Sequence, residues 1–364
     1  MSEFVKTRVV QGTGIITLDR PRALNSLSLE MVRALADTLL AWRDDLRVAA
    51  VVLTSSSEKA LCAGGDIRFF YEAGRATPAG GSALLEDFFT EEYALNHLIH
   101  FYPKPYIALM DGVVMGGGMG IAQGGPDTGL RIVTERTKMA MPEVNIGLFP
   151  DVGGSHFLSR APGQLGHYLG LTGLTITAAD ALYVGLADLF VPSAQLPALM
   201  ALMALIEATD GAALVAAIRN FAAPFADQAG ASVLQAQRGT IDAHFGAASV
   251  PAVMASLARD GSAFAQAALA AMKLRSPLMM CVTREMLVRA VGMDVAACLR
   301  MERSLVRRNF DHGEVLEGVR ALVIDKDNAP AWNPAALEEV SAVMVDAFFA
   351  PVWPAHAHPL RALR

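Results

Sequence analysis

The sequence predicts an α/β fold that is extended by an α-helical region on its C-terminal side. Three observations support this fold class. Strand and helix patterns alternate in the first part of the chain, two glycine-rich turns each lead from a strand into a helix, and the composition shifts to Ala, Leu and Met from Leu196 onward. Such alternation is typical of sheets covered by helices. We therefore expect two regions, residues 1–195 and residues 196–364, of which the second is mainly helical.

The first strands and the first helix follow from residue patterns. Val9 to Leu18 is rich in β-branched residues and is interrupted by Gly12 and Gly14, which predicts two short strands joined by a tight turn. Ser28 precedes apolar residues at helical spacing and therefore predicts the start of a helix. Val48 to Thr54 then predicts a buried strand, which completes the strand–helix–strand order of an α/β protein.

Two glycine-rich turns carry the first chemical signal. In one, Cys62 to Gly65 follows a strand and Asp66 begins a helix. In the other, the strand Tyr106 to Met110 leads through a turn to Gly116 to Gly118, where a helix starts. Backbone N–H groups at such helix starts can receive a negatively charged oxygen. Two amide donors from two separate turns are the usual composition of an oxyanion hole, which stabilises a thioester enolate or a tetrahedral intermediate.

Two acids lie in the segment MPEVNIGLFPDVGG. Glu143 directly follows one proline and Asp151 directly follows another, so each acid lies just after a residue with a fixed φ angle. The apolar residues between the acids predict that the segment lies against a core, with both carboxyls in one partly dry pocket. Neighbouring acids raise each other's pKa, so that one can hold a proton while the other is ionised at neutral pH. The alternative, on these residues alone, is that Glu143 caps a turn and Asp151 begins one.

These motifs resemble those of the crotonase (enoyl-CoA hydratase/isomerase) superfamily in wording, order and spacing. The matching segments of the first region are DRPRALNSLS, ALCAGGDI, DGVVMGGGMG and MPEVNIGLFPDVGG. Three further segments, FFTEEYALNHLIHFYPKPYIALMDGVVMGGG, FPDVGGSHFLSR and EGVRALVIDKDNAPAWNP, resemble the hydrolase branch that acts on 3-hydroxyisobutyryl-CoA, over nearly the whole chain. The resemblance implies a crotonase-like spiral of ββα repeats with an α-helical C-terminal region.

The resemblance also implies an oxyanion hole at the two glycine-rich turns. One donor would be the amide of Gly117. The other would come from the first turn, with Ala63 as the first choice and Gly65 as the alternative. The segment Gln123 to Leu130, which follows the second turn, is predicted to be a loop.

The family's acids match particular residues of this chain. Glu143 and Asp151 match the catalytic acids, and Glu92, in FFTEEY on a predicted amphipathic helix, matches an acid that contacts the substrate. The implied substrate-binding residues are therefore Glu92, Gly117, Glu143 and Asp151. Similar hydratases carry a second glutamate just after the triple glycine, where this chain has Gly120, and a PGAGG segment where it has PDVGG. This difference favours a hydrolase.

The expected reaction is hydrolysis of a short 3-hydroxyacyl-CoA thioester, foremost 3-hydroxyisobutyryl-CoA in valine catabolism. Glu143 would attack the carbonyl carbon to give a mixed anhydride, or would act as a base for water. Asp151 would protonate or orient the reacting groups, and Glu92 would hold the distal hydroxyl. An enoyl-CoA hydratase or isomerase and a non-catalytic acyl-CoA-binding protein are the alternatives.

Composition limits the partners of the protein. The 364 residues include 30 Lys and Arg against 36 Asp and Glu, and a net charge of −6 argues against nucleic acid. The longest apolar run, Leu196 to Ile206, is shorter than the roughly 20 residues that span a bilayer. The 3 cysteines show no CxxC spacing, and no cluster of histidines accompanies them, so neither a disulfide framework nor a zinc site is predicted.

These limits lead to expectations about cofactors and location. We expect no metal or redox cofactor, because coenzyme A enters as part of the acyl-CoA substrate. Arg20, Arg22 and Lys59 are candidates for binding its phosphates. Met1 to Arg8 lacks the pattern of a signal or transit peptide, which predicts a cytoplasmic location. Members of the superfamily form homo-oligomers, so self-association is a further expectation.

Overall fold

The structure, a computed structural model, describes residues 2–77, 81–205 and 211–364. Two residues named above lie outside these ranges. They are Met1, the first residue of the segment Met1 to Arg8, and Ile206, the last residue of the apolar run Leu196 to Ile206. Contacts divide the chain into two compact units. The sheet unit consists of Met1–Gly65, Ala94–Met139 and Ile176–Val233, and the helical unit of Asp66–Tyr93, Ala140–Thr175 and Leu234–Arg364. Both units contain residues from before and after residue 195. The two units therefore do not correspond to the predicted regions 1–195 and 196–364, and that division stays a prediction.

Strands belong to the first part of the chain. They are β1 (Val5–Val10), β2 (Thr13–Leu18), β3 (Ala50–Ser55), β4 (Ala60–Cys62), β5 (Tyr106–Met110), β6 (Val113–Met115), β7 (Gly129–Val133), β8 (Lys138–Ala140) and β9 (Leu189–Phe190). One sheet has the order β1-β2-β3-β5-β7-β9, and a smaller sheet has the order β4-β6-β8. β1 pairs antiparallel with β2, and the pairs from β2 to β9 are parallel, as expected for an α/β sheet.

Helices make up most of the rest of the described chain. They are α1 (Leu29–Arg43), α2 (Ile67–Ala76), α3 (Ala83–His100), α4 (Gly117–Ala122), α5 (Gly154–Ser159), α6 (Leu165–Thr172), α7 (Ala178–Val184), α8 (Leu196–Leu205), α9 (Gly211–Ala222), α10 (Val233–Ala236), α11 (Arg238–Phe245), α12 (Val250–Arg259), α13 (Ala263–Met272), α14 (Pro277–Ala290), α15 (Val295–His312), α16 (Glu314–Val319) and α17 (Ala342–Phe349). A π-helix covers Arg320–Ile324, and 3₁₀ helices cover Pro21–Ala23, Glu143–Ile146, Ser193–Gln195, Ala223–Ala229, Leu337–Glu339 and Ala355–Ala357. Among the described residues, we find no helix with the length and apolar character that crossing a bilayer requires.

The first elements confirm most of the sequence predictions. β1 and β2 form the expected hairpin, and the turn between them uses Gln11 and Gly12, whose φ angles are 47° and 81°. Of the two glycines that interrupt this segment, only Gly12 belongs to the turn. Gly14 lies inside β2, where a Cβ atom would come within 2.6 Å of the Trp42 ring. Ser28 caps α1 as predicted, because its Oγ accepts a hydrogen bond from the Met31 N–H at 3.3 Å.

Other predicted bounds differ by a few residues. The strand predicted from Val48 to Thr54 is β3, which begins at Ala50. β5 has the predicted bounds, Tyr106–Met110. The loop predicted from Gln123 to Leu130 is present, although its last residues already belong to β7. Local patterns therefore locate these elements well, and their ends less well.

An apolar core supports the six-stranded sheet. Side chains from β3, β5 and β7 pack against α8 and α9, and all are almost completely buried. The core consists of Ala50, Val52, Ile107, Leu109, Leu130, Ile132, Val191, Leu199, Met203, Leu214, Ile218 and Ala222. Each large side chain buried in this way stabilises the fold by about 1.5–3 kcal/mol. The sheet unit is thus a rigid base for the loops that follow its strands.

An aromatic cluster and a buried ion pair hold the helical unit together. Phe70 lies 4.9 Å from both Phe88 and Phe89, measured between ring centroids, and these rings join α2 to α3. Arg303 on α15 is only 1% exposed; it pairs with Glu86 and donates to the Thr90 Oγ1 at 3.0 Å. These contacts fix the part of α3 that carries Glu92.

Candidate active site

The first glycine-rich turn, after β4, offers one amide rather than two. The Ala63 N–H already donates to the Leu24 carbonyl oxygen at 3.0 Å. In the part of the chain that the structure describes, the Gly65 N–H has no such acceptor. Ala63, the first choice of the sequence analysis, is therefore replaced by its alternative, Gly65, as the candidate donor of this turn.

The second glycine-rich turn lies directly against the first. A Cβ atom added to Gly64 would lie 3.5 Å from the backbone nitrogen of Gly117, and one added to Gly118 would lie 2.2 Å from the Cys62 carbonyl oxygen. Only glycine permits this approach. Gly117 is the first residue of α4, so its N–H has no acceptor within the helix. The sheet unit thus brings two candidate oxyanion donors, Gly65 and Gly117, into adjacent turns.

Asn25 builds the loop that supports the first turn. Its side chain is fully buried, and its Nδ2 donates to the Ser55 Oγ at 2.7 Å and to the Leu61 carbonyl oxygen at 3.0 Å. Its Oδ1 accepts a hydrogen bond from the Arg20 N–H at 2.7 Å. Leu24 and Asn25 have φ angles of 50° and 55°, which turn the Leu24 carbonyl toward Ala63. The motif DRPRALNSLS does not by itself predict this role of Asn25, because its partners lie in distant segments.

Three buried acids belong to the helical unit. Glu92, Glu143 and Asp151 are 2%, 5% and 5% exposed, and together they form what we call the acid cluster. Glu143 begins the short helix Glu143–Ile146, and the residues between it and Asp151 pack into the core as predicted, with Phe149 completely buried. The interpretation of Glu143 as only a turn residue does not explain why its Oε2 is buried without a hydrogen-bond partner among the described residues.

Burial sets the ionisation of the acid cluster. Loss of water raises the pKa of Asp151 to about 6, against its ordinary value of 3.8, although the hydrogen bond from Tyr93 and backbone hydrogen bonds act to lower it. The pKa values of Glu92 and Glu143 are raised well above their usual range by burial and then by the charge of Asp151. The first negative charge of the acid cluster therefore lies on Asp151, whereas the surroundings of Glu92 and Glu143 favour their protonated forms.

Tyr93 is a residue of the site that the sequence analysis missed. Its hydroxyl donates to the Asp151 Oδ2 at 2.6 Å, and its side chain is completely buried. A phenol bonded to a carboxylate favours the ionised form of the acid and fixes its orientation. Tyr93 directly follows Glu92 in the motif FFTEEY, and this position could have indicated that Tyr93 belongs to the site. Nothing in the sequence, however, predicts its contact with Asp151. A second residue missed in this way is Glu302, whose buried carboxyl lies beside the loop that follows Asp151.

The candidates for coenzyme A phosphates stay predictions. Arg22 and Lys59 are exposed, whereas the Arg20 Nη1 donates to the Ser26 carbonyl oxygen at 3.0 Å and to its Oγ at 3.1 Å.

Within residues 2–77, 81–205 and 211–364, no three His, Cys, Asp or Glu side chains form a group suited to a metal ion.

Sequence comparison identifies close relatives over most of the chain. A family model described as enoyl-CoA hydratase/isomerase matches residues 13–349. The mitochondrial 3-hydroxyisobutyryl-CoA hydrolase of Gallus gallus is 39% identical over 342 residues, which cover 94% of this chain and 87% of the relative. The enzyme of the same name from Homo sapiens is 36% identical over 330 residues, which cover 90% of this chain and 84% of the relative.

Two solved structures share the fold of the whole chain. A structure described as a carnitinyl-CoA dehydratase from Mycobacterium thermoresistibile has a TM-score of 0.88 and 39% identity, covering 97% of this chain and 98% of the other. A structure described as an enoyl-CoA hydratase from Rhodobacter sphaeroides has a TM-score of 0.84 and 36% identity, covering 96% and 98%.

Proposed function

The chain belongs to the enoyl-CoA hydratase/isomerase family, and we propose that it hydrolyses 3-hydroxyisobutyryl-CoA to 3-hydroxyisobutyrate and coenzyme A. The two solved structures confirm the crotonase-like fold that the sequence predicts. Support for the hydrolase comes from the curated relatives of that name and from one observation at the site. Its acids are Glu143 and Asp151, both buried, whereas the second position after the triple glycine is Gly120, which has no carboxyl.

The oxyanion donors act on the thioester oxygen in the proposed reaction. The N–H groups of Gly65 and Gly117 donate to this oxygen, which becomes negative when the carbonyl carbon is attacked. Donors that are already in place stabilise this charge without reorganising, which is commonly the largest single contribution to catalysis.

The acid cluster supplies the nucleophile or base and the proton. A proton passes from Glu143 to Asp151. This transfer moves the negative charge from Asp151 to Glu143, which is the state that reacts. The Glu143 carboxylate then attacks the carbonyl carbon, forming a mixed anhydride, and the departing coenzyme A thiolate takes the proton from Asp151. Water hydrolyses the anhydride and restores Glu143. In the alternative route, Glu143 takes a proton from water as the water attacks, and Asp151 again protonates the thiolate.

The third acid of the cluster would give the site a preference for 3-hydroxy substrates. The Glu92 Oε1 is buried and, among the described residues, lacks a hydrogen-bond partner. An unsatisfied buried oxygen of this kind costs about 1–3 kcal/mol. A substrate hydroxyl that bonds to it would recover much of this free energy, whereas an acyl group without the hydroxyl would not.

An enoyl-CoA hydratase is the second candidate function. The two solved structures favour it, because they are described as a dehydratase and a hydratase at 39% and 36% identity. A hydratase delivers water across a carbon–carbon double bond with two acids. The glycine at position 120 counts against this reaction, because it removes the acid that similar hydratases carry there.

Release of free thiol from 3-hydroxyisobutyryl-CoA by the purified protein distinguishes the two candidates. We expect rapid thiol release from this substrate and no hydration of crotonyl-CoA, the control substrate. Hydration of crotonyl-CoA without thiol release from either ester would overturn the proposed function in favour of a hydratase. Binding of both esters without any reaction would instead favour an acyl-CoA-binding protein.

Replacing Tyr93 by phenylalanine is expected to move the pH dependence of this reaction. The Tyr93 hydrogen bond lowers the pKa of Asp151, so its loss raises that pKa above about 6. The charge that the reaction needs then appears at a higher pH, and the rise of kcat/KM with pH moves upward by about one pH unit. The pH profile of Tyr168→Phe, which changes another buried tyrosine of the helical unit, should match that of the unsubstituted protein. An unshifted profile for Tyr93→Phe would show that this bond does not control Asp151.

The setting of the reaction is also a proposal. We place the enzyme in valine catabolism, in the cytoplasm, without a cofactor and as a homo-oligomer. The curated relatives of Gallus gallus and Homo sapiens carry the word mitochondrial in their names. Cell fractionation, and sedimentation of the purified chain, test the location and the oligomeric state.

A further inference from the structure

The loop that follows Asp151 has a backbone that other residues must hold in place. Val152 and Gly153 have φ angles of 53° and 86°. A β-branched residue such as valine rarely adopts a positive φ, and such strain persists only where the surrounding structure enforces it. The Gly154 N–H donates to the Asp151 carbonyl oxygen at 2.6 Å, which closes the loop just before α5.

The carboxyl of Glu302 on α15 holds this loop with three hydrogen bonds. Its Oε2 accepts from the Gly153 N–H at 2.8 Å. Its Oε1 accepts from the Ser155 N–H at 2.9 Å and contacts the Ser155 Oγ at 2.5 Å. Glu302 is 0% exposed, so a carboxyl is buried here at a considerable cost in free energy. These three partners compensate for its burial.

Asp151 is thereby fixed from two sides. Tyr93 bonds to its carboxyl, whereas Glu302 bonds to the backbone that follows it. Burial and the nearby charge of Asp151 raise the pKa of Glu302 to about 8. Near neutral pH the carboxyl therefore often keeps its proton, and it holds the loop without adding a second full charge beside Asp151.

We propose that Glu302 is a positioning residue, which holds the loop of residues 151–155 so that the Asp151 carboxyl meets the reacting groups in its productive orientation. This inference rests on the proposed function, because it assigns Asp151 to thioester hydrolysis. It also connects the C-terminal helices to the reaction indirectly, through a residue far from Asp151 in sequence.

Glu302→Gln is the variant that tests the proposal. A protonated or ionised carboxyl can accept a hydrogen bond on both oxygens, whereas the NH₂ group of glutamine cannot accept one. The substitution keeps the size of the side chain but loses the bond to either Gly153 or Ser155. We expect kcat to fall by about 100-fold with KM changed by less than about 3-fold, because small displacements of a catalytic group have effects of this size.

Glu314→Gln is the matched control. Glu314 is also buried, at 2% exposure, and it also bonds to a serine hydroxyl and a backbone N–H, those of Ser276 at 2.5 Å and Asn333 at 3.2 Å. Among the described residues, the partners of its carboxyl lie outside the loop of Asp151. We expect this variant to keep kcat within about 3-fold, even if it is less stable. An equal loss of kcat in both variants would overturn the proposal, because it would show a general effect of buried carboxyls on stability.

A double-substitution cycle separates positioning from other effects. If Glu302 acts through Asp151, then Glu302→Gln should lower kcat by less than about 3-fold when Asp151→Asn is already present. A full additional loss of about 100-fold in that background would overturn the proposal. Should Glu302→Gln fail to fold, Ser155→Ala takes its place, since it removes only the hydroxyl bond; it should lower kcat less strongly, and an unchanged kcat would then overturn the proposal.

Hydrogen exchange tests the loop independently of any substrate. The amide of Gly153 or that of Ser155, whichever loses its acceptor, should exchange faster in Glu302→Gln than in Glu314→Gln. If exchange rises as expected but the unsubstituted protein releases no thiol, the proposed function fails while the contact of Glu302 with the loop stands. If thiol is released and Glu302→Gln leaves both exchange and kcat unchanged, only the positioning role of Glu302 fails.

Discussion

Glu143→Gln is expected to lower kcat for 3-hydroxyisobutyryl-CoA hydrolysis by at least about 1,000-fold. The amide cannot attack the carbonyl carbon or take a proton from water, so both proposed routes lose their central group. Glu143 is 5% exposed and its pKa is raised well above the usual range, which makes it a group whose proton can move during the reaction. Stopped-flow thiol release measures the effect, with circular dichroism to check folding.

Two further measurements sharpen this expectation. Glu143→Asp keeps a carboxyl, but the shorter side chain places it farther from the substrate carbonyl. We therefore expect this variant to have only a small part of the activity of the unsubstituted protein. A single turnover in heavy-oxygen water should place the label in Glu143 of the unsubstituted protein if the mixed anhydride forms, and should leave Glu143 unlabelled if it acts as a base. A kcat within about 10-fold of the unsubstituted protein for Glu143→Gln would remove Glu143 from the reaction altogether.

Gly118→Ala is expected to lower kcat by about 100-fold to 1,000-fold through the oxyanion donors. The added Cβ would lie 2.2 Å from the Cys62 carbonyl oxygen and 2.9 Å from its carbon, and backbone atoms cannot yield as a side chain can. The two glycine-rich turns must then move apart, which separates the N–H groups of Gly65 and Gly117. Thiol release gives the loss of activity, and the melting temperature gives the accompanying loss of stability.

Gly239→Ala is the matched control for this prediction. Among the described residues, a Cβ atom at Gly239 would meet no heavy atom within 4 Å, so this glycine tolerates the same added group. We expect unchanged kcat and an unchanged or slightly higher melting temperature, because alanine favours a helix. Full activity in Gly118→Ala would mean that the close approach of the two turns is not needed, and would argue against the proposed oxyanion donors.

The predictions that succeed depend on local patterns. β5 has its predicted bounds because a short apolar run enclosed by turn residues leaves little freedom in a parallel sheet. Ser28 caps α1 as predicted, because a serine hydroxyl finds its partner only three residues along the chain. Glu143 and Asp151 were found together because they lie in one short segment whose apolar residues face the core.

The predictions that fail depend on contacts between distant segments. The choice between Ala63 and Gly65 is decided by the Leu24 carbonyl oxygen, whose direction is set by a loop with positive φ angles. No spacing rule gives that direction. Glu302 lies on a helix whose sequence shows only an ordinary acid, and its contact with Ser155 exists only when the helical unit is folded. Such contacts come from tertiary packing, which local patterns do not contain.

The division into two units has a consequence for the newly made chain. All residues of the sheet unit have been synthesised once Val233 is added, whereas the helical unit needs the segment Leu234–Arg364. Since compact units tend to fold as wholes during synthesis, the carboxyls of the acid cluster gain their buried surroundings only after the segment Leu234–Arg364 has been made. The two glycine-rich turns can form well before that. A chain released early would thus contain the amide donors for an oxyanion, but its acids would not yet be buried and would lack their raised pKa values.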